Sequence, residues 1–310
     1  APCSVDACFH GTHVASIAAG RGGDGTAPGV APEAQIIPIR IFSSDAENGQ
    51  LAGRSTAREI DLIAALEHVR VLDLADPIDA VNLSLGFAQN VTGGHCDPWS
   101  PTLASKVAQL RSQRVAVVAA SGNDGGSEHV AVPACLEAAT PVTATLASSD
   151  AVWAWSDTGA TVELAAPGAS ITAADVGGGT RSASGTSMAA PHVAGAIAVL
   201  RATQPTSSVS WVEERLWSTG AGLTDPTNGL QLRRIDVAAS LGLRTPTPLP
   251  PTDVLWLTTT AGRVYYAGYA EDWGGLTPID LAWGESVVAS ASLRSGMGYW
   301  LVTNRGRVFA

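Results

Sequence analysis

The 310-residue chain has little positive charge: 18 basic residues, of which only Lys106 is a lysine, face 28 acidic ones. The resulting net charge of −10 excludes binding a polyanion over a broad surface. Long apolar runs are absent as well. The longest, Val115–Ala120 and Val193–Leu200, fall far short of the roughly 20 residues that cross a bilayer, so no membrane span is expected. Charged residues are scarce at 15% against 45% hydrophobic, the reverse of a disordered chain. There is no initiator Met, no basic leader and no signal peptide at Ala1, and the end at Ala310 carries no stop signal, so both termini are expected to be cuts. Cysteine is limited to Cys3, Cys8, Cys96 and Cys135. An even count fits disulfides in an exported protein. Four cysteines permit three pairings, and the near-neighbour one, Cys3–Cys8 with Cys96–Cys135, is expected.

What is present divides the chain. Nine of the seventeen aromatic residues lie in residues 253–310. Just before them, Thr245 to Thr252 holds four prolines in eight residues, a stiff extended spacer. Three parts are therefore expected: residues 1–242, a linker at 243–252 and a region at 253–310. In the first part, Gln35–Phe42, Ala80–Leu85, Val115–Ala120 and Thr140–Leu146 read as buried strands. Ser55–Leu72, Pro101–Arg111 and Ser187–Leu200 read as helices. Strands alternating with helices imply an α/β domain with a mostly parallel sheet, whose working residues gather at the carboxyl ends of strands. In the last part, Leu255-Trp256-Leu257-Thr258 and Gly262-Arg263-Val264-Tyr265 recur 44 residues later as Tyr299-Trp300-Leu301-Val302 and Gly306-Arg307-Val308-Phe309. Period-2 alternation within such a repeat predicts a small all-β repeat segment, incomplete at its end.

Three segments carry chemistry. Ser184 to Gly195 (SGTSMAAPHVAG) sets the Ser187 hydroxyl where a glycine turn enters a helix, at a dipole that favours negative charge. Taken alone, such a turn reads as an N-cap. Pro191 is expected in the first turn of that helix, where proline is tolerated. His10 to Gly20 (HGTHVASIAAG) opens a short apolar helix. Its two histidines are three apart with no neighbouring Glu, so zinc binding through His10 and His13 is rejected. His10 suits a general base, since imidazole titrates near neutrality, and His13 a structural role. Val117 to Asp124 (VVAASGND) brings Asn123 to the end of a buried strand, where its N–H can donate to a developing oxyanion.

In the order His, Asn, Ser these segments resemble the subtilisin-like serine peptidases of the S8 family. Gly29-Val30-Ala31-Pro32, Asn82-Leu83-Ser84-Leu85-Gly86, Ala165-Ala166-Pro167-Gly168 and Arg234-Ile235-Asp236-Val237 extend the resemblance over residues 1–242. It implies a three-layer α/β fold and a secreted, extracellular or cell-surface serine endopeptidase acting on protein or peptide. Ser187 would be the nucleophile, His10 the general base and Asn123 the oxyanion donor. Ser84, Leu85, Gly86, Ser121 and Gly122 would bind substrate, with Ser84–Gly86 pairing to its backbone. Residues 253–310 resemble the GYWLV-type repeats of secreted actinobacterial proteins, which implies a cell-wall or surface ligand.

The resemblance is incomplete. The family's catalytic Asp lies tens of residues before its histidine, and only nine residues precede His10. Asp6, the sole acid among them, sits in the ordinary loop before the histidine, and Asp157-Thr158-Gly159 comes too late in the order and reads as a turn. The Asp is thus expected upstream of Ala1. His68 reads as part of a solvated helix face, His95 as an isolated residue beside Cys96, and His129 as part of a polar loop. No metal or other cofactor is expected; the stretch Arg21–Thr26 offers one carboxylate, which does not support a structural calcium. The competing reading is a non-catalytic surface or adhesion protein with a degenerate peptidase domain.

Overall fold

In the computed structural model, the described residues are 9–23, 25–44, 55–87, 90–245, 255–258, 264–267, 286–292, 299–305 and 308–309. The chain forms two compact units, Ala1–Thr247 and Pro248–Ala310. The first unit runs through α1 (Phe9–Ala19), β1 (Ser43–Ser44), β2 (Ser55–Thr56), α2 (Glu59–Leu72), β3 (Ala80–Leu83), β4 (Asn90–Thr92) and α3 (Pro101–Ser112). It continues with β5 (Ala116–Ala120), β6 (His129–Ala131), β7 (Thr140–Leu146), β8 (Leu164–Ala169), β9 (Ile171–Ala174) and β10 (Thr180–Ala183). Then come α4 (Thr186–Thr203), α5 (Val209–Thr219), β11 (Ala221–Thr224), β12 (Gln231–Arg234) and α6 (Val237–Ser240). Its central sheet has the order β11-β12-β8-β7-β5-β3, parallel throughout except for β11.

β5 explains why the sheet is covered on both faces. All five of its residues are buried, which only a strand packed on both sides can achieve. Ala116, Val118 and Ala120 join a core with Ala189, Val193, Ile197 and Leu200 of α4 and Val212 and Leu216 of α5. The alternate residues Val117 and Ala119 face the other way, where α3 packs on β5 through its own buried Leu103, Val107 and Leu110. Helix, sheet and helix make the three layers. The helix α4 runs through the middle, and its Gly195 lets the chain of α1 and Val30 approach: a Cβ there would lie 2.8 Å from Val30 Cβ and 2.9 Å from the Ala18 carbonyl oxygen.

The expected strand Gln35–Phe42 does not form. Residues 34–42 are irregular, and Ile36 and Ile37 are about half exposed, at 48% and 52%. The apolar pattern is real, but a strand also needs a hydrogen-bonding neighbour, and among the described residues the sheet ends at β3. The helix expected from Ser55 begins at Glu59 instead, since Ser55 and Thr56 pair with Ser43 and Ser44. Cys96 and Cys135 form a disulfide; Cys3 and Cys8 lie outside the described residues. Among the described residues no helix is long and apolar enough to cross a membrane.

The second unit contains β13 (Leu255–Thr258), β14 (Val264–Ala267), β15 (Val287–Ser292), β16 (Tyr299–Thr303) and β17 (Val308–Phe309). Leu257 pairs with Tyr265 and Thr258 with Val264. Their counterparts 44 residues on, Leu301 with Phe309 and Val302 with Val308, pair in the same antiparallel register.

Candidate active site

Ser187 is the second residue of α4, and its surroundings follow from two residues without ordinary helix capacity. The N-cap position, Gly185, has no side chain to satisfy the first N–H groups of the helix. Asn123, from the loop after β5, does so in its place: its Oδ1 accepts from the Thr186 N–H at 2.8 Å and from Thr186 Oγ at 3.1 Å. Because Oδ1 faces a backbone donor, the carboxamide orientation is fixed, and Nδ2 is the donor left over.

Pro191 falls in the second turn of α4 rather than the first. A residue there would ordinarily donate its N–H to the Ser187 carbonyl, and proline has none. Ser84 replaces that bond: its hydroxyl donates to the Ser187 carbonyl at 2.6 Å. The Ser187 hydroxyl in turn donates to the Ser84 carbonyl at 3.5 Å. Ser84, Leu85 and Gly86 follow the end of β3, and Ser121 and Gly122 follow the end of β5. The carboxyl ends of two adjacent parallel strands therefore meet the start of α4. The Ser121 side chain is fully buried and committed internally, donating to the Asp157 carbonyl at 2.8 Å.

His10 occupies the start of α1, which packs along α4 through Ile17 and Met188, the residue after Ser187. Burial lowers the His10 pKa below its ordinary 6.5, and the His13 charge adds to this, so the neutral imidazole is favoured. Among the described residues no hydrogen bond or ion pair reaches its ring; Phe9 stacks edge-on at 6.3 Å. His13 is structural: fully buried, its Nε2–H donates to the carbonyls of Ile171 and Arg181 at 3.1 and 3.0 Å and so ties α1 to the hairpin of β9 and β10.

Asp157 is not an ordinary surface turn. It is fully buried, and it holds the loop that carries Asn123. Its Oδ1 accepts from the N–H groups of Gly126 and Asp124 at 2.8 and 3.1 Å, and its own N–H donates to the Gly122 carbonyl at 3.1 Å. Gly122 permits this closeness. Its φ is +123°, and a Cβ there would meet Asp157 Oδ2 at 1.9 Å. His129 opens strand β6 and lies 3.5 Å from Asp157 rather than in a free polar loop. Sequence reading missed both residues; the signal for Asp157 was the run of small residues at Ser121 to Gly126, which leaves room for a buried acid. His68 is exposed beside the Glu67–Arg70 pair, as its helix-face pattern suggested, and His95 lies beside the Cys135 carbonyl at 3.4 Å.

A profile of the Subtilase family (peptidase S8) matches residues 5–234. Subtilisin DY of Bacillus licheniformis is 32% identical over 225 residues, covering 72% of this chain and 74% of that relative. The minor extracellular protease Epr of Bacillus subtilis is 32% identical over 207 residues, which are 67% of this chain but only 28% of Epr. Among solved structures, a cold adapted subtilisin-like serine proteinase superposes with a TM-score of 0.58 at 27% identity, over 74% of this chain and 75% of that one. The S218A protease domain of PatA gives 0.61 at 29% identity, over 78% and 84%.

Proposed function

This chain belongs to the subtilase family, and from that premise we propose that it is a serine endopeptidase, with Ser187 as nucleophile, His10 as general base and Asn123 as oxyanion donor. The observation that carries the reading is the union, at the start of α4, of a serine hydroxyl and a carboxamide whose oxygen is already engaged. Ser187 Oγ attacks a peptide carbonyl as His10 Nε2 or Nδ1 takes its proton; the amine leaves with that proton, and water then hydrolyses the acyl-enzyme by the same route. As the carbonyl oxygen gains charge, Asn123 Nδ2–H and the amino end of α4 stabilise it. Residues 84–86 and 121–122 are proposed to hold an extended peptide between the two strand ends.

The third member of the triad is proposed to be an aspartate outside this sequence. Support comes from Asp157, the acid of the Asp-Thr-Gly stretch within the chain, whose Oδ1 is already engaged by the N–H groups of Gly126 and Asp124. Secretion is supported by the Cys96–Cys135 disulfide and by relatives named as extracellular proteases. Calcium is not part of the proposal. For residues 253–310 the aromatic-rich repeats support a cell-wall or surface ligand.

A fluorophosphonate probe and casein test the reading. The chain extended upstream to include the acid should label at Ser187 and cleave casein, and Ser187→Ala should abolish both. The chain alone should label slowly, and Asp6→Asn should change nothing. Rapid labelling of the bare chain that Asp6→Asn abolishes would put the acid at Asp6 instead. Absence of labelling in the extended chain would return the protein to a non-catalytic role.

A further inference from the structure

The Asp157-Thr158-Gly159 stretch takes no part in the proposed acyl transfer, yet it is bonded to the residues on both sides of Asn123. Five hydrogen bonds join residues 155–158 to the loop after β5. On the amino side of Asn123, the Asp157 N–H donates to the Gly122 carbonyl at 3.1 Å. On the carboxyl side, Asp157 Oδ1 accepts from the Asp124 and Gly126 N–H groups at 3.1 and 2.8 Å. The Gly125 N–H donates to the Trp155 carbonyl at 2.9 Å, and the Thr158 N–H to the Gly126 carbonyl at 2.8 Å. Asp157 is itself anchored, since its own carbonyl accepts from Ser121 Oγ at 2.8 Å and from Thr143 Oγ of β7 at 3.2 Å. Fully buried and tied at its backbone, it is a fixed point for the loop.

We propose that Asp157 is a positioning residue for turnover, whose Oδ1 sets the aim of the Asn123 carboxamide. The proposal rests on the reading of Asn123 as the oxyanion donor. Such a donor must stand about 2.7–3.1 Å from the developing charge, and a misplacement of roughly 1 Å can cost about 100-fold in rate. Gly122 and Gly125 flank Asn123 at positive φ, +123° and +70°, so the loop does not keep that aim by its own stiffness. The two bonds to Oδ1 hold Asp124 and Gly126 in its place. What holds them is the acceptor and not the charge. His129 lies 3.5 Å from Oδ1, but its Nε2 makes no hydrogen bond among the described residues. An asparagine here would offer an oxygen with the same two lone pairs to both N–H groups. Its NH₂ would fall where Oδ2 stands, an atom with no described donor to lose.

The test compares Asp157→Ala and Asp157→Asn in the chain extended upstream, each with and without Asn123→Ala. Asp157→Ala should lower kcat by about 10- to 100-fold at nearly constant KM, and Asp157→Asn should restore most of that loss. In the Asn123→Ala background, Asp157→Ala should have little further effect on kcat, because the donor it aims is gone. Should Asp157→Ala fail to fold, Asp157→Ser enters the same cycle, its hydroxyl standing one bond short of the carboxylate oxygens. Amide hydrogen exchange at Thr186, whose N–H is held by Asn123 Oδ1, should quicken in Asp157→Ala and not in Asp157→Asn. Losses of kcat that add across the two sites, a loss carried by KM, a loss that Asp157→Asn shares in full, or unchanged exchange at Thr186 would each overturn the proposal and leave Asp157 purely structural. Failure of the peptidase reading looks different: the parent chain itself then neither labels nor cleaves, and the proposal falls with it.

Discussion

At the scale of the residue, Asn123 has two jobs that can be separated. Its oxygen caps α4, and its nitrogen is the proposed oxyanion donor. Asn123→Ala loses both, and kcat should fall about 100- to 1,000-fold with little change in KM, the size of loss seen when subtilisin itself loses such a donor. The cap adds a stability loss of about 1 kcal/mol. Asn123→Asp keeps an oxygen for the Thr186 N–H, so it should unfold near the parent temperature while losing turnover at least as severely. A raised KM at constant kcat in either variant would assign Asn123 to substrate binding alone. His10 supplies a second reading at this scale. Its pKa lies below 6.5 because burial disfavours the imidazolium, so its ring should stay neutral on acidification past pH 6.5 and protonate only at the lowered value. Extending the chain to bring in the triad carboxylate should move that titration upward, since an opposite charge favours the protonated form. Imidazole NMR measures both, and a His10 titrating at or above 6.5 in the bare chain contradicts the burial argument.

At the scale of the element, α4 tolerates a proline in its second turn because a hydroxyl from β3's end replaces the missing backbone donor. Ser84→Ala should therefore destabilise by about 1 kcal/mol, as a partly buried carbonyl loses its partner. In a Pro191→Ala background the helix supplies its own N–H to Ser187, and the same substitution should cost measurably less. Additive losses in that double-mutant cycle, read by chemical denaturation, would show that the two groups do not share the carbonyl. Much of this was legible beforehand. β5 is a continuous apolar run and β7 a run rich in β-branched residues, and the Ser187 block announces a helix start. Residues 35–42 were misread because their pattern is that of a strand, while pairing is a property of the neighbour and not of the segment. Asp157 and His129 were misread for a related reason: a Thr-Gly pair and polar neighbours look like exposed turns, and nothing local records that the 27 residues between them fold back to bury the carboxylate.

At the scale of the whole molecule, the Cys96–Cys135 bond closes a loop with a sequence separation of 39. Restricting that loop in the unfolded chain is worth about 4 kcal/mol by chain entropy. Cys96→Ser with Cys135→Ser should accordingly lower the unfolding free energy by about 2–4 kcal/mol, and an unchanged denaturation midpoint would mean that native packing, not the crosslink, holds the segment between them. The second unit has a consequence of another kind, for how such a gene can change length. Because Leu257–Tyr265 and Thr258–Val264 have the same register as Leu301–Phe309 and Val302–Val308, excising residues 259–302 would join β13 directly to the turn before β17. The fused hairpin would then pair Leu257 with Phe309 and Thr258 with Val308 without a slip. A deletion one residue longer or shorter would send every side chain of one strand to the opposite face. Unequal crossing-over between the copies is thus filtered by the pleat of the sheet, which passes the whole 44-residue period and rejects slips by an odd number of residues.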